Sequence, residues 1–291
     1  INYYFDFPDM IYYATEYMNK VNSKEFNFEY IIIDEYQDIT YGNYELAKNI
    51  VNNNDFCKIV AVGDDWQSIY SFNGSKIEYV YNFARYFPDS KIFKISKTYR
   101  NCQNLVNYSG KFIMKNNFQI KKDLISDKKI EKPVKFVLFK DGFEYLALKE
   151  LILRIHKEYP SHSILILGRT NENIYRCFDD TDLIDSIDTK VKFIGYEDID
   201  IDAMTIHKSK GLTNDEVIII GLDKSFPSSH SKYWFNQLFS FNLMQEGVAF
   251  PEERRIFYVA LTRTKNNVYL LVNENQNSRS PFISELWNVL N

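Results

Sequence analysis

Two adjacent carboxylates, Asp34 and Glu35, follow a short apolar run of this chain and could support metal-assisted hydrolysis. The run, Tyr30 to Ile33, has the length and composition of a buried strand in a parallel sheet. Open α/β sheets bind their ligands outside the carboxyl ends of the strands, where these acids would lie. There one carboxylate can hold Mg²⁺ while its neighbour orients or deprotonates an attacking water. The pattern indicates a nucleotide-hydrolysing site, and the alternative is a strand that ends in solvated acids.

A second polar cluster, Gly63 to Gly74, follows the apolar run Lys58 to Val62. Its Gln67 offers an amide that can bond a terminal phosphate or the attacking water. Tyr70 and Phe72 alternate with small polar residues and could stack on nucleobases. The alternative for each ring is a place in the core beneath the loop.

A third cluster, Lys97 to Asn101, precedes a helical pattern from Cys102 to Asn116. Arg100 could point its planar guanidinium at a phosphate, and Tyr99 could stack on a base. Taken alone this is a weak signal, because arginine beside tyrosine is common at protein surfaces.

A fourth cluster, Thr205 to Leu212, places hydroxyls and cations in a short loop that ends at Gly211. Such a loop is suited to gripping the backbone phosphates of a nucleic-acid strand. A histidine such as His207, taken alone, is more often a structural residue than a ligand contact, but the surrounding hydroxyls and cations favour a contact with the ligand.

A fifth segment, Pro251 to Lys265, is predicted to be a helix, because Pro251 suits the first helical position and acids follow in the first turn. Its apolar residues at helical spacing predict a core-facing side: Ile256, Val259 and Ala260. A second face is predicted to carry Arg254, Tyr258 and Thr262. Arg263 could act as an arginine finger, and the alternative is a cation that compensates the helix dipole.

Alternating strand and helix patterns position these clusters. Five apolar, β-branched runs predict strands: Tyr30 to Ile33, Lys58 to Val62, Ser163 to Leu167, Val217 to Ile220 and Val268 to Val272. Between them lies a predicted helix, Phe143 to Tyr159, whose buried stripe would be Leu146, Leu148, Leu151, Ile152 and Ile155. The segments Lys121 to Lys135 and Asp179 to Asp188 are predicted to be loops. The pattern predicts an α/β fold of parallel sheets covered by helices, with a domain boundary near Ser96.

Composition limits the class of protein. With 291 residues, 45% hydrophobic and 25% charged, the chain is predicted to be globular and soluble, with one large or two ordinary domains. It carries no apolar stretch long enough to span a membrane and no signal peptide, so we expect a cytoplasmic protein. Its three cysteines lack the spacing of a zinc site or a disulfide framework. The net charge of −4 still allows a local basic groove. Because residue 1 is isoleucine, we expect a piece of a longer protein.

The five clusters together resemble motifs II to VI of superfamily 1 helicases of the UvrD/Rep type, in order and in internal spacing. The matching segments are Asp34 to Asp38, Gly63 to Gly74, Thr98 to Arg100, Thr205 to Leu212 and Glu252 to Lys265. The form of the second and fourth motifs and the terminal Ser280 to Ile283 resemble the helicase IV branch. The opening Phe5 to Met10 also resembles the segment by which these enzymes re-enter their first motor domain.

This resemblance implies a RecA-like P-loop NTPase architecture with ATP and Mg²⁺ bound between two motor domains. Residues 1–95 would be the carboxyl-terminal part of domain 1A, and residues 96–291 would be a complete domain 2A with a short insertion in place of domain 2B. Carried over by motif, the catalytic residues would be Glu35, Gln67, Arg100 and Arg263. The residues that bind ATP or its Mg²⁺ would be Asp34, Glu35, Gln67, Tyr99, Arg100, Gly211 and Arg263. Contacts to single-stranded DNA would come from Tyr70, Phe72, Thr205 and His207.

Three departures from the family pattern limit this transfer. The phosphate-loop motif G-x-x-x-x-G-K-[ST] is absent, since the one Gly-Lys pair, at Gly110, has Leu105 and Phe112 at the other required positions. Thr213 stands where many relatives have a ribose-binding glutamate, and Asn73 stands where UvrD-type relatives have arginine. We therefore expect this fragment alone to be inactive in ATP hydrolysis.

The resemblance implies a full-length protein that couples ATP hydrolysis to 3′ to 5′ movement on single-stranded DNA and to unwinding at single/double-strand junctions. We expect a monomeric, nucleoid-associated enzyme of DNA repair. Alternatives are an RNA polymerase-associated motor-like factor, the motor subunit of a recombination helicase-nuclease, and a binding module without motor activity.

Overall fold

The chain folds into two compact units, Ile1–Ile92 and Phe93–Asn291. The computed structural model describes residues 4–20, 27–178, 189–193, 195–227 and 248–290, together with the backbone of residues 183–184. The predicted acidic loop from Asp179 to Asp188 therefore lies outside the residues whose side chains are described. None of the described helices is both long and apolar enough to cross a membrane.

The elements alternate along the chain. The helices are α1 Phe7–Lys20, α2 Tyr41–Asn52, α3 Glu78–Tyr81, α4 Phe83–Tyr86, α5 Gln103–Ile113, α6 Glu144–Glu158, α7 Asn171–Arg176, α8 Pro251–Leu261 and α9 Pro281–Leu290. The strands are β1 Tyr30–Ile33, β2 Lys58–Ala61, β3 Val134–Phe139, β4 Ile164–Gly168, β5 Leu183–Ile184, β6 Lys190–Lys192, β7 Ile201–Thr205, β8 Asn214–Ile219 and β9 Thr264–Asn273. The predicted loop from Lys121 is irregular until β3 begins at Val134.

The first unit is built on a two-stranded parallel sheet, in which Ile31 of β1 pairs with Ile59 of β2. One face of this sheet packs against an aromatic cluster formed with Tyr36 and Tyr44. The other face is exposed, and Ile32 on it is 74% exposed. The prediction of a strand here is confirmed, but the prediction that it is buried is wrong for Ile32 and Tyr30. A parallel sheet is buried only where both of its faces are covered.

The second unit contains a seven-stranded sheet in the order β3-β9-β8-β4-β7-β6-β5. Five neighbouring strands of this sheet are parallel: β3, β9, β8, β4 and β7. Strands β6 and β5 add antiparallel pairs at one edge. Together with the flanking helices, this arrangement confirms the predicted α/β class. The central strand β4 is buried along its whole length.

Helix α6 packs on this sheet through the apolar stripe that the sequence predicted, with one difference. Leu148, Leu151, Ile152 and Ile155 are buried in the core of the second unit. Leu146, by contrast, is half exposed, so its predicted burial is wrong. Leu146 lies in the first turn of the helix, close to the preceding loop.

Helix α8 is buried on all sides rather than on one. Each residue from Glu252 to Leu261 is buried, so the predicted second face is also packed. Arg254 of that face lies between the rings of Phe112 and Phe282, and it forms an ion pair with Glu285 of α9 at 2.8 Å. A cation with aromatic faces on two sides and a carboxylate partner can remain charged in such a position.

Candidate functional site

Asp34 and Glu35 lie directly after β1, at its carboxyl end, and both are exposed. Glu35 has left-handed backbone angles, φ 49° and ψ 41°, and it caps the short 3₁₀ turn Tyr36–Asp38. Its N–H donates to Asp34 Oδ1 at 2.9 Å. A non-glycine residue with positive φ is uncommon and carries strain, and such residues cluster at functional sites. The turn thus directs two carboxylates away from the core at one point.

Gln37 lies in the middle of this turn and is 0% exposed. Its side-chain Nε2 donates to Glu35 Oε2. Its Oε1 accepts from the backbone N–H of Asp64 at 2.8 Å, and its backbone oxygen accepts from Ser68 Oγ at 3.1 Å. The sequence pattern gave Gln37 no role of its own, and its only signal was its place directly behind the acids.

Gln67 lies on the second polar cluster, in the 3₁₀ turn Asp65–Gln67. Its Nε2 donates to Asp64 Oδ2 at 2.5 Å, while Asp64 Oδ1 accepts from the N–H of Trp66 at 3.1 Å. Trp66 is buried and fixes the turn to the core. Glu35, Gln37, Asp64 and Gln67 are therefore joined by consecutive hydrogen bonds.

Tyr70 and Phe72, predicted to contact DNA, are close to each other but differ in exposure. Their ring centroids are 5.9 Å apart, Tyr70 is half-buried, and Phe72 is largely exposed. Burial raises the pKa of the Tyr70 hydroxyl, and the nearby carboxylates of Asp38 and Glu35 raise it further. Tyr70 therefore lies within electrostatic range of Glu35 and Asp38, whereas the ring of Phe72 is exposed to solvent.

The acid pair fits the ligand preferences of Mg²⁺. That ion is usually bound in nucleotide sites by one or two carboxylates, with phosphate and water oxygens in the remaining positions. Asp34 and Glu35 supply such carboxylates at an exposed strand end. Within the described residues, no group of three or more His, Cys, Asp or Glu side chains is arranged to hold a metal ion by itself.

In the second unit, Tyr99 and Arg100 lie in the irregular segment before α5. Tyr99 is 82% exposed, with Lys97 Nζ over its ring at 5.4 Å from the centroid, and Arg100 is half-buried. The next residue, Asn101, is buried and donates from Nδ2 to the carbonyl oxygens of Thr262 at 3.2 Å and Thr264 at 2.7 Å. These two bonds bring the Arg100 segment to the segment that carries Arg263.

Thr205, the last residue of β7, and His207 lie at the start of a tight turn. Thr205 Oγ1 accepts from the N–H of Lys208 at 3.3 Å, so this predicted DNA donor also closes the turn. His207 is half-buried. The turn ends at Gly211, whose φ of +85° is a conformation that side-chain-bearing residues rarely adopt.

Arg263 follows α8 and is 1% exposed. Its Nε donates to the carbonyl oxygen of Val259 at 3.1 Å, so the side chain folds back along its own helix. Thr262 lies between the helix end and Arg263 as the carboxyl-terminal cap. The sequence pattern placed this residue close to the helix end but could not indicate that its guanidinium is buried.

An ion pair between the partly exposed Arg169 and the buried Glu253 has no counterpart among the predicted site residues. Arg169 Nη2 donates to Glu253 Oε1 at 2.6 Å and Nε donates to Oε2 at 2.9 Å. Arg169 follows β4, whose Gly168 pairs with Thr205, and Glu253 lies in the first turn of α8. Sequence reasoning interpreted Glu253 only as a dipole-compensating acid, because 84 residues separate it from its partner.

Hydrogen bonds join some of the predicted residues, or the segments that carry them, within each unit. In the first unit, one hydrogen-bond network joins Asp34, Glu35 and Gln67, and Tyr70 lies within electrostatic range of Glu35. The second joins the segments of Arg100 and Arg263 through Asn101.

Comparison with known proteins identifies matching families and relatives. Residues 1–88 match the UvrD/REP helicase N-terminal domain, and residues 179–275 match the UvrD-like helicase C-terminal domain. DNA helicase IV of Escherichia coli is 31% identical over 90% of this chain and 36% of its own length. A probable DNA helicase of Mycoplasma pneumoniae is 26% identical over 93% of this chain and 49% of its own length. The ATP-dependent DNA helicase Rep of Buchnera aphidicola is 33% identical over 47% of this chain and 21% of its own length. The chain thus spans less than half the length of these relatives.

Proposed function

Because the chain belongs to the UvrD/Rep helicase family, we propose that it is part of an ATP-dependent DNA helicase. The full-length protein would hydrolyse ATP to move 3′ to 5′ along single-stranded DNA and to unwind the duplex at a junction. The observation that carries this proposal is the exposed pair Asp34 and Glu35 at a strand end, joined through Gln37 and Asp64 to the amide of Gln67. This arrangement would supply a metal ligand, a base and a phosphate-sensing amide within one network.

In the first unit, we assign Asp34 and Glu35 to hold Mg²⁺. The ion would supply positive charge to the phosphate oxygens as charge develops on them. Glu35 would also orient and deprotonate the attacking water, and Gln67 would contact the γ-phosphate or that water. The exposure of both acids supports these roles, because a ligand can reach them without displacing the core.

In the second unit, we assign Tyr99 to stack on adenine, and its exposed ring supports this role. Arg100 and Arg263 would contact the γ-phosphate, and Gly211 would let the backbone of its turn approach the nucleotide. For this contact the Arg263 guanidinium would turn away from the carbonyl of Val259, which it contacts in this structure. A backbone carbonyl is a neutral acceptor, so a phosphate would compete for the same donor with a stronger, charge-assisted bond.

We assign the DNA contacts to Tyr70, Phe72, Thr205 and His207. The exposed ring of Phe72 supports stacking on a base, which contributes about 1–3 kcal/mol for each base. The hydroxyl of Thr205 and the imidazole of His207 would contact backbone phosphates. The first unit would then be the carboxyl-terminal part of domain 1A, and the second would be domain 2A.

We further propose that this chain alone is inactive in ATP hydrolysis, because its sequence lacks the phosphate-loop motif. The phosphate-loop motif would supply the lysine and hydroxyl that hold the phosphates and Mg²⁺.

The full-length enzyme is proposed to act as a monomer at the nucleoid and in DNA repair.

The test compares this chain with the full-length protein that contains it. The full-length protein should hydrolyse ATP in the presence of Mg²⁺ and single-stranded DNA, and it should displace the strand of a duplex with a 3′ tail but not of one with a 5′ tail. Calorimetric titration of this chain with Mg·ATP should show weak binding. Absence of DNA-stimulated hydrolysis in the full-length protein would contradict the proposed function, and tight binding of Mg·ATP by this chain would contradict its proposed inactivity.

A further inference from the structure

Gln37 is a buried amide whose side chain uses its donor and its acceptor on the two polar clusters of the first unit. Its Nε2 donates to the carboxylate of Glu35, two residues earlier. Its Oε1 accepts from the backbone N–H of Asp64, 27 residues later, at 2.8 Å. A third bond, from Ser68 Oγ to the Gln37 backbone oxygen, fixes the residue from the same side. An amide in this position therefore bridges β1 and the turn that follows β2.

The local backbone is built closely around this amide. A Cβ atom added at Gly63 would lie 2.7 Å from Gln37 Oε1, so only glycine allows the second cluster to approach this near. On the other side, Glu35 adopts left-handed backbone angles, which place its carboxylate within reach of Nε2. The close approach at Gly63 restricts that position to glycine, and the left-handed backbone of Glu35 is unfavourable by itself. Both features occur where Gln37 makes its hydrogen bonds.

The bonds continue beyond Gln37 to Gln67. Asp64, whose N–H donates to Gln37, accepts with its own Oδ2 from Gln67 Nε2 at 2.5 Å. The proposed base and the proposed phosphate-sensing amide are therefore separated by two connecting residues. A shift of the turn that carries Gln67 would move the Asp64 N–H, which donates to Gln37, relative to the Glu35 carboxylate, which accepts from it.

We propose that Gln37 is a positioning residue, which holds the Glu35 carboxylate in one orientation and ties it to the turn that carries Gln67. This inference rests on the proposed function, because it assigns a task to a neighbour of the proposed catalytic groups. Because Gln37 is buried, it would act through Glu35 and Gln67 rather than through the nucleotide. It fixes the mutual geometry of Glu35 and Gln67, so that a water held by one group faces the phosphate contacted by the other.

Two substitutions at this position separate its two bonds. Gln37→Met keeps the size of the side chain and removes both bonds. Gln37→Glu keeps an oxygen that can accept from Asp64 but removes the donor to Glu35. A matched control is Asn54→Leu in the same unit, because Asn54 is also a buried amide whose side chain bonds the backbone of Ile50 and Phe28.

The first experiment measures steady-state ATP hydrolysis by the full-length protein with saturating single-stranded DNA. Both Gln37 variants should lower kcat by about 10- to 100-fold, as expected for partners that orient a reacting group, while KM for ATP should stay within about threefold. Asn54→Leu should lower the melting temperature and leave kcat unchanged. Equal kcat values for wild type and Gln37→Met, or an equal loss in Asn54→Leu, would overturn the positioning role.

The second experiment does not depend on hydrolysis. High-resolution crystal structures of this chain with and without Gln37→Met should show one conformation of the Glu35 side chain in the wild type and several in the variant. An unchanged, single Glu35 conformation in the variant would overturn the inference. Failure of the proposed function has a different signature, since the wild-type protein itself would then lack DNA-stimulated hydrolysis.

Discussion

The acid pair of the first unit and three charged residues of the second unit differ in their burial. In the first, Asp34 and Glu35 are exposed at the end of a two-stranded sheet with one uncovered face. In the second, Glu253, Arg254 and Arg263 are buried around a seven-stranded sheet. An exposed carboxylate contributes little to stability and remains accessible to a ligand. A buried charge must be matched by a partner, and removing that partner is costly. Substitutions of Asp34 or Glu35 should therefore change activity with little change in stability, whereas substitutions of the buried charges in the second unit should also change stability.

The largest expected effect belongs to Arg263, which combines burial with a proposed role at the phosphate. In the full-length protein, Arg263→Ala should lower DNA-stimulated ATP hydrolysis by about 10³- to 10⁵-fold, because an arginine finger stabilises charge in the transition state. Binding of single-stranded DNA at low salt should persist. Arg263→Lys is the control, since it keeps the charge and loses the planar fork. A wild-type hydrolysis rate in the alanine variant would reduce Arg263 to a structural residue.

Glu35 should give the next largest loss of activity without a loss of stability. Glu35→Gln in the full-length protein should reduce kcat by about 10²- to 10⁴-fold, because the amide cannot accept the proton of the attacking water. Binding of ATP, followed by a fluorescent analogue, should remain. The melting temperature should also stay close to that of the wild type, since the side chain is exposed. Normal hydrolysis would exclude the general-base role.

The buried pair of the second unit should affect stability first. Glu253→Gln should lower the free energy of unfolding of this chain by about 3–5 kcal/mol, because it leaves Arg169 without its carboxylate in a largely buried position. The comparison is Lys265→Gln, which breaks a more exposed pair with Asp215 and should cost at most about 1 kcal/mol. Urea unfolding measures both. Similar losses in the two variants would remove the distinction between buried and exposed charge.

The smallest effect concerns pH and the pair formed by Arg254 and Glu285. Burial alone would raise the pKa of the Glu285 carboxyl, but the hydrogen bond and charge of Arg254, with a contribution from Lys115, lower it below its usual 4.5. Ionised Glu285 therefore stabilises the fold above that value, and this contribution is lost as the pH falls through the lower pKa of the folded state. Urea titrations between pH 6 and pH 3 should show a shallower decline for Glu285→Gln. Identical slopes would contradict this prediction.

Local sequence patterns predicted the helices and strands better than they predicted which residues are buried. The run from Tyr30 to Ile33 coincides with β1, and the pattern from Phe143 to Tyr159 differs from α6 by one residue at each end. These signals are local, since β-branched runs and helical spacing are properties of neighbouring residues. The exposure of Ile32 could not be predicted in the same way, because burial depends on what covers the sheet.

The same distinction between local and long-range information applies to the site residues. The spacing of Asp34, Glu35 and Gln67 was visible in the sequence, and the structure places them in one network. The bond from Asp64 to Gln37 joins residues 27 positions apart, and periodicity carries no information about it. The course of the Arg263 side chain along its own helix is decided by packing and not by spacing.

The strand order of the seven-stranded sheet affects how the second unit folds while the chain is being synthesised. Strand β9, the last strand in the sequence, lies between β3, the first strand of that unit, and β8. Strand β3 therefore has no neighbour in the described sheet until residues near Asn273 have left the ribosome. Pairings over such long sequence distances form slowly, because the loop-closure entropy comes first. The second unit should consequently complete its fold only after β9 has been synthesised, and nascent chains halted before Thr264 should expose the apolar edges of both β3 and β8 to chaperones.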